Sequence, residues 1–195
     1  MNKTLETLLK AKRGVITTDD ALKVGFSKMS MVNFVKTGVL ERVAHGVYIQ
    51  AGDLVDDMFV LQLRSDRLIY SHETALWLNE LCDRSPLELH VTVPTGAPLG
   101  SELRGDCRSH YVKPEYFELG LEKRKTAFGH EVRCYNAERT ICDIVRNEDR
   151  VGTQEFYDGL RQYAARKMKD TVMLMDFARR FKVDREISKY MGVLT

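Results

Sequence analysis

The sequence lacks a hydrophobic run long enough to span a lipid bilayer. No apolar stretch in its 195 residues approaches the roughly 18 to 20 residues that a transmembrane helix requires. The N-terminal stretch is also too polar after Leu9 to supply the hydrophobic region of a signal peptide. We therefore expect a cytoplasmic protein without a membrane segment.

Paired cysteines are absent as well. The four cysteines are scattered and form no Cys-x-x-Cys motif: Cys82, Cys107, Cys134 and Cys142. Without a secretion signal, this pattern favours reduced thiols packed as small hydrophobic side chains. The closest approach to a zinc site is Cys107 with His110, to which His90 and His130 could be added only from a distance. Structural zinc sites typically have two close ligand pairs, so the sequence predicts neither a metal nor another cofactor.

The chain has little excess of either charge, since 30 basic side chains oppose 28 acidic ones. The distribution is uneven. Residues 1–52 carry eight basic and four acidic side chains, residues 53–150 carry 13 and 18, and residues 151–195 carry nine and six. A basic first segment beside an acidic middle is expected when only one end meets a polyanion. We interpret the basic C-terminal residues as a solvated helix face, with a second polyanion surface as the alternative.

The first 52 residues contain an ordered set of short elements. A helix from Thr4 to Lys12 precedes a short helix capped near Thr17, and Ser27 caps a third helix. A β-hairpin that turns at His45 and Gly46 follows. This order is that of a winged helix-turn-helix. We predict a DNA-binding domain over residues 1–52.

The third predicted helix has an inward stripe of Met31, Phe34 and Val35, and its opposite side is polar. Side chains of this kind can reach base edges and phosphates. The residues predicted to contact DNA are Lys10, Lys12 and Arg13 at the end of the first helix, Ser27, Lys28, Ser30, Asn33, Lys36 and Thr37 on the third, and Arg42 and His45 on the hairpin. The alternative is a solvated or protein-binding face of a small helical domain.

Residues 53–195 predict a second, larger domain. Asp53 is expected to cap a connecting helix over residues 54–66, and residues 87–93 alternate as a strand between two prolines. After Asn136 the pattern is helical. We predict an α+β fold, in which a small winged helix-turn-helix precedes a mixed or antiparallel sheet within residues 53–135 and a helical bundle over residues 136–195.

Three segments contain residue types that occur in active sites. Ser71, His72 and Glu73 are consecutive, and consecutive helical side chains diverge, so Ser71 is interpreted as a cap. Residues 95–100 contain two glycines but lack the Gly-Lys-Ser/Thr ending of a phosphate-binding loop. Glu138, Arg139 and Asp143 are better explained as a salt-bridged helix start. No enzyme is predicted.

Four phrases carry a family resemblance: GVLERVAHGVYI, YSHETALWLNEL, LHVTVP and GHEVRCYNAERTICD. Together and in this order, they resemble the AbiEi family. Its members are antitoxins of AbiE-type, type IV toxin–antitoxin systems associated with abortive phage infection. The resemblance extends from about Thr4 to Leu194.

The resemblance implies a winged helix that represses its own operon by binding inverted repeats in the promoter, and therefore two copies on DNA. It also implies a C-terminal domain that counteracts a nucleotidyltransferase-like toxin without a stable complex. The family's helix-turn-helix falls on residues 18–37 and its wing on residues 40–49. Members often have Arg or Lys where this chain has His45, which weakens the assignment of the wing to DNA.

Glu138, Arg139 and Asp143 belong to a family phrase that has no known chemical role, and they remain candidates for the antitoxin domain. Two other functions stay open. One is a nucleic-acid-modifying enzyme that the winged helix delivers to its substrate, with these three residues as its site. The other is a transcriptional regulator whose C-terminal domain senses a small molecule.

Overall fold

The computed structural model describes residues 2–97 and 99–194, which divide into two compact units. One unit comprises the residues up to Asp66 together with Lys125–Glu131, and the other comprises Arg67–Arg124 and the residues from Val132 onward. The domain division that the sequence indicates between residues 52 and 53 stays a prediction. Within the described ranges, no helix is both long and apolar enough to cross a membrane.

The described residues form helices and strands in both units. The helices are α1 (Lys3–Ala11), α2 (Thr18–Lys23), α3 (Lys28–Lys36), α4 (Asp57–Leu63), α5 (His72–Leu78), α6 (Ala137–Arg146), α7 (Thr153–Ala165), α8 (Thr171–Phe181) and α9 (Asp184–Leu194). The strands are β1 (Val15–Thr17), β2 (Leu40–Ala44), β3 (Val47–Gln50), β4 (Ile69–Tyr70), β5 (His90–Pro94), β6 (Arg108–Val112), β7 (Leu121–Lys125) and β8 (Glu131–Tyr135).

The first unit contains a winged helix. Helices α1 to α3 pack with an antiparallel sheet of order β1-β3-β2, in which β2 and β3 form the predicted hairpin. The core includes Leu5, Ile16 and Met31, each at most 1% exposed. Strand β1 was not predicted, because a three-residue strand carries too short a pattern to be recognised.

Two helix starts in this unit agree with the sequence. Thr17 caps α2 and Ser27 caps α3, and each forms a capping box with the residue three positions on, Asp20 and Ser30 respectively. In a capping box the two residues satisfy each other's free backbone N–H groups. The starts of α2 and α3 are therefore set by hydrogen bonds between residues three positions apart, which can be predicted from the sequence.

The connecting helix differs from its prediction. Helix α4 begins at Asp57, and Asp56 rather than Asp53 is its N-cap, accepting from the backbone N–H of Phe59. The carboxylate of Asp56 also accepts from the Thr126 hydroxyl at 2.6 Å and lies 2.7 Å from His130 Nδ1. These distant partners hold Asp56 in a buried position, so tertiary contacts decide which aspartate caps the helix.

The second unit contains the predicted mixed sheet and helical bundle. Its sheet has the order β6-β5-β4-β8-β7, with β4 antiparallel to β5 and parallel to β8, and with β5 parallel to β6. Helices α5 to α9 supply a core that includes Leu76, Ile141, Leu160 and Ile187. Strand β5 begins at His90 rather than Leu87, which is fully exposed. The adjoining loop is irregular, and its Pro98 lies outside the described residues.

Candidate nucleic-acid interface

Helix α3 has one face in the core and one face open. Met31 is 1% exposed and Phe34 and Val35 are half-buried, as the sequence predicts. Lys28 and Asn33 are exposed on the other side, and so is Lys36. Because an α-helix has 3.6 residues per turn, these two sets of side chains lie on different faces, and the open face presents two cations and one amide to a ligand.

A groove of about 570 Å³ lies between the helix-turn-helix and the wing. Thr18 at the start of α2, Lys28 and Val32 on α3, and Arg42 and His45 on the wing contribute to its walls. Asp19 also lines it, but the two cations outnumber this single carboxylate. The groove therefore joins residues of α3 and the wing that are separate in the sequence.

The wing carries a cation, Arg42, next to its turn. Arg42 donates from Nη2 to His45 Nδ1 at 2.9 Å and from Nε to the Ala44 carbonyl at 3.2 Å. A guanidinium has only donors and stays charged in proteins, so His45 Nδ1 accepts and its Nε2–H remains free to donate. Members of the family often have a basic residue at the position of His45. In this chain, Arg42 places a positive charge beside His45.

The cations at the end of α1 lie elsewhere. Lys12 Nζ is 2.6 Å from Asp20 Oδ1, and the bonds from Lys12 and Thr17 lower the pKa of Asp20 although its partial burial opposes them. Lys12 and Arg13 line a second groove, of about 660 Å³, whereas Lys10 is exposed and lines neither groove. The structure therefore does not gather all the predicted DNA contacts into one site.

The predicted hydroxyl contacts have structural roles. Ser27 and Ser30 form the capping box of α3, with their hydroxyl oxygens 3.0 Å apart. Thr37 donates to the Asn33 carbonyl at 2.9 Å and so closes the other end of the helix. The side chains best placed for a ligand are therefore Lys28, Asn33, Lys36, Arg42 and His45.

Two apolar residues on the open face of α3 were missed by the sequence analysis. Met29 is 74% exposed and Val32 is 46% exposed. Val32 lies one helical turn after Lys28, and Met29 lies one turn before Asn33. Helical spacing identifies both residues, because side chains four positions apart share a face of the helix.

Glu138, Arg139 and Asp143 of the second unit do not form an open site. Arg139 is 1% exposed, and its Nε lies 3.0 Å from both carboxylate oxygens of Asp143. Its Nη1 donates to the carbonyls of Tyr116 and Leu119, at 2.9 Å each. The predicted ion pair four residues apart is confirmed, and it fastens α6 to the segment before β7.

Glu138 points to other partners. Its Oε1 accepts from the Tyr163 hydroxyl and from the backbone N–H of Asp170, at 3.2 Å each. Gly120 lies on the other side of the ion pair with φ +76°, and a Cβ there would come within 2.7 Å of the Arg139 Cβ. The three candidate residues are thus occupied by contacts within the fold.

Three of the histidines lie together: His72 at the start of α5, His90 on β5 and His110 on β6. The rings of His72 and His110 stack with centroids 3.5 Å apart, and His90 Nδ1 lies 3.2 Å from His110 Nε2. The same nitrogen, His90 Nδ1, is 2.7 Å from the Glu73 carboxylate. Burial lowers the pKa of His72 and of His110 to about 3, so both rings are neutral at pH 7. No group of three or more possible ligands suited to a metal ion occurs in the described part of the chain.

The expectation that Ser71 caps α5 is wrong. Ser71 occupies the N-cap position but makes no capping bond, and its Oγ instead lies 2.9 Å from His72 Nδ1. His72 has φ +49°, in the left-handed region, which turns two consecutive side chains toward each other. Asn147 Nδ2 donates to His72 Nε2, so His72 Nδ1 carries the proton and donates to Ser71. Both residues are at most 2% exposed, which favours a structural role for the pair.

The open face of α3, the two-stranded wing and the groove between them define the class: a winged helix-turn-helix protein. Residues 3–49 match the model of a family described as "Transcriptional regulator, AbiEi antitoxin". The matched segment runs from the first residue of α1 into β3, and the AbiEi resemblance is confirmed over it.

Two further comparisons concern the whole chain. The crystal structure of the RV2827C protein from Mycobacterium tuberculosis is similar, with a TM-score of 0.60 and 13% sequence identity over 98% of this chain and 79% of that one. At this identity the likeness concerns the fold alone. None of the curated proteins matches the sequence.

Proposed function

We propose that this protein is a non-enzymatic antitoxin and transcriptional autorepressor. Its winged helix binds inverted repeats in its own promoter, and its second unit counteracts a nucleotidyltransferase-like toxin in the cytoplasm without a stable complex. The observation that carries the proposal is the open cationic face of α3 beside the wing, in the segment that matches the AbiEi regulator family.

The contacts of the first unit support a defined mode of DNA binding. Helix α3 enters the major groove, where Lys28 and Asn33 reach base edges and Lys36 contacts phosphate. The Arg42–His45 pair of the wing lies against the adjacent backbone or minor groove. An inverted repeat presents two such sites related by a two-fold axis, so two copies bind.

Charge reversal on α3 tests the proposal. The double variant Lys28→Glu with Lys36→Glu is expected to lose more than about tenfold in affinity for the DNA upstream of its own gene, because it replaces two cations by anions. Because Lys36 contacts one phosphate in this binding mode, the slope of log affinity against log salt is expected to fall by about 0.9. Fluorescence anisotropy with a labelled duplex measures both quantities.

A matched control is available on α9. Arg185 and Lys189 are exposed and four residues apart, and reversing both makes the same change in net charge on a helix of the second unit. This control is expected to bind DNA like the wild type. Equal losses in the two double variants, or no loss in either, would show that α3 is not the DNA-binding element.

The antitoxin role is tested separately in cells. The protein is co-expressed with the nucleotidyltransferase-like toxin expected from the adjacent gene, and growth is measured. The Lys28→Glu, Lys36→Glu variant is expected to restore growth as well as the wild type while it fails to repress a promoter reporter. Failure of the wild type to restore growth contradicts the antitoxin role but leaves the DNA-binding role standing.

A further inference from the structure

Helix α3 exposes apolar side chains where a purely phosphate-binding helix has no need of them. Met29 is 74% exposed and Val32 is 46% exposed, although the residues of α3 that enter the core are Met31, Phe34 and Val35. The two open residues lie among Lys28, Asn33 and Lys36. An exposed valine also has a lower helix propensity than a straight-chain or polar helix former, so the helix itself does not require it.

Val32 lines the groove between α3 and the wing, together with the cations Lys28 and Arg42. The next residue in the chain, Asn33, is exposed on the same open face. Consecutive side chains on a helix diverge, but Met29 lies four residues before Asn33, and residues four apart are neighbours. The exposed apolar side chain of Met29 and the carboxamide of Asn33 therefore stand side by side on the open face. The flanking cations match a polyanionic ligand rather than an apolar one.

The chemistry of the DNA major groove offers partners for both groups. The C5-methyl of thymine is the apolar group on a base edge there, and it takes apolar side chains. Adenine presents N7 and N6 together, which a carboxamide can engage with two hydrogen bonds. These two bases form one base pair, so adjacent apolar and carboxamide side chains suit A·T-containing steps.

We infer that α3 reads A·T base pairs, with Val32 and Met29 in contact with thymine methyl groups and Asn33 on adenine. This inference rests on the proposed binding of DNA and adds the bases that the helix selects. Lys36 fixes the position of the helix on the DNA backbone, whereas the apolar pair and Asn33 contribute to the choice of the sequence that is bound.

Replacement of thymine by uracil tests the inference directly, because it removes the methyl group and leaves the Watson–Crick pairing unchanged. The probe is the upstream duplex that the wild type protects from nuclease, with thymine replaced in one half-site. Each lost methyl contact is expected to weaken binding about fourfold. Restoring thymine one position at a time identifies the methyl group that is contacted.

Two variants assign the effect to α3. Met29→Ala combined with Val32→Ala is expected to bind the thymine duplex more weakly than the wild type and to be insensitive to uracil. Alanine favours helix, and thermal melting verifies the fold. The control is Leu54→Ala, which removes an 81% exposed apolar residue of the same unit from outside any helix; it is expected to keep the uracil effect.

The outcomes separate this inference from the proposed function. Wild-type protein that binds no upstream duplex overturns the proposed DNA binding. Binding that is indifferent to uracil in the wild type overturns the reading of A·T pairs and leaves the DNA binding intact. A uracil effect that persists in the alanine double variant also overturns it, since the methyl contact then belongs to another residue.

Discussion

Helices α3 and α6 are similar in length, at nine and ten residues, yet they use their polar residues in opposite ways. Met31 is the buried residue of α3, whereas α6 has eight buried residues that include Arg139 and Asp143. On α3 the charges face outward and are free for a ligand. On α6, Arg139 and Asp143 face each other, and Arg139 also bonds a neighbouring segment. The comparison shows that charge alone does not mark a binding site, and that burial decides its role.

The largest expected effect breaks the buried pair of α6. Asp143→Ala leaves Arg139 charged and without its carboxylate in the core, which typically costs about 3–5 kcal/mol. Urea unfolding measures the loss. Replacing both residues by leucine removes the uncompensated charge and is expected to recover most of the stability. A loss below about 1 kcal/mol for Asp143→Ala would contradict a structural role for the pair.

The next effect is a pH dependence of the second unit. His72 has a folded pKa of about 3, below the ordinary value of about 6.5. Between these values the unfolded chain binds a proton that the folded chain does not, so stability is full above pH 6.5 and is lost as the pH falls. His72 alone is expected to contribute a loss of about 2 kcal/mol at pH 5.

Unfolding free energies measured between pH 7 and pH 5 test this dependence. His72→Asn keeps a residue that tolerates the left-handed backbone and removes the titrating ring. This variant is expected to be less stable at pH 7 but to have a shallower decline below pH 6.5. Equal slopes in variant and wild type would show that His72 is not the source.

A smaller effect is expected at the start of α3. Ser27→Ala removes the side-chain oxygen that accepts from the Ser30 N–H, at a cost of about 1 kcal/mol. Thermal unfolding detects it, with Ser101→Ala as the control, because Ser101 is exposed and lies outside any helix. A cost equal to that of the control would mean that the cap contributes nothing.

The smallest effect on stability is expected on the open face of α3. Lys36→Ala removes an exposed charge without a buried contact, so the unfolding free energy is expected to change by less than about 0.5 kcal/mol. If Lys36 contacts one phosphate, the slope of log DNA affinity against log salt concentration is expected to fall by about 0.9 in the same variant. A change in stability without one in binding would reverse the contrast between α3 and α6.

Much of the first unit could be predicted from the sequence, because its signals are local. The caps at Thr17 and Ser27, the turn at His45 and Gly46, and the inward stripe of α3 lie within a few residues of the bonds they make. The candidate site was predicted less completely. The pairing of Arg42 with His45 and the exposure of Val32 depend on how the wing and α3 face the groove.

The histidine cluster of the second unit could not be predicted from local sequence patterns. The parallel pairing of β5 with β6 sets His90 opposite Arg108, so His110 becomes a diagonal neighbour of His90 on the adjacent strand. The left-handed backbone of His72 then turns its ring against His110. Neither the register of a parallel sheet nor one residue's backbone angle is encoded in the spacing of side chains along the chain.

By itself, the sequence determined the order of helices and wing, the caps of α2 and α3, and the ion pair of α6, since each depends on bonds between residues at most a few positions apart. The tertiary structure alone decided that Asp56 and not Asp53 caps α4, that three histidines meet, and that Arg139 and Asp143 of α6 are buried while Lys28 and Lys36 of α3 are open. These outcomes depend on burial and strand register, which arise only when distant segments pack together.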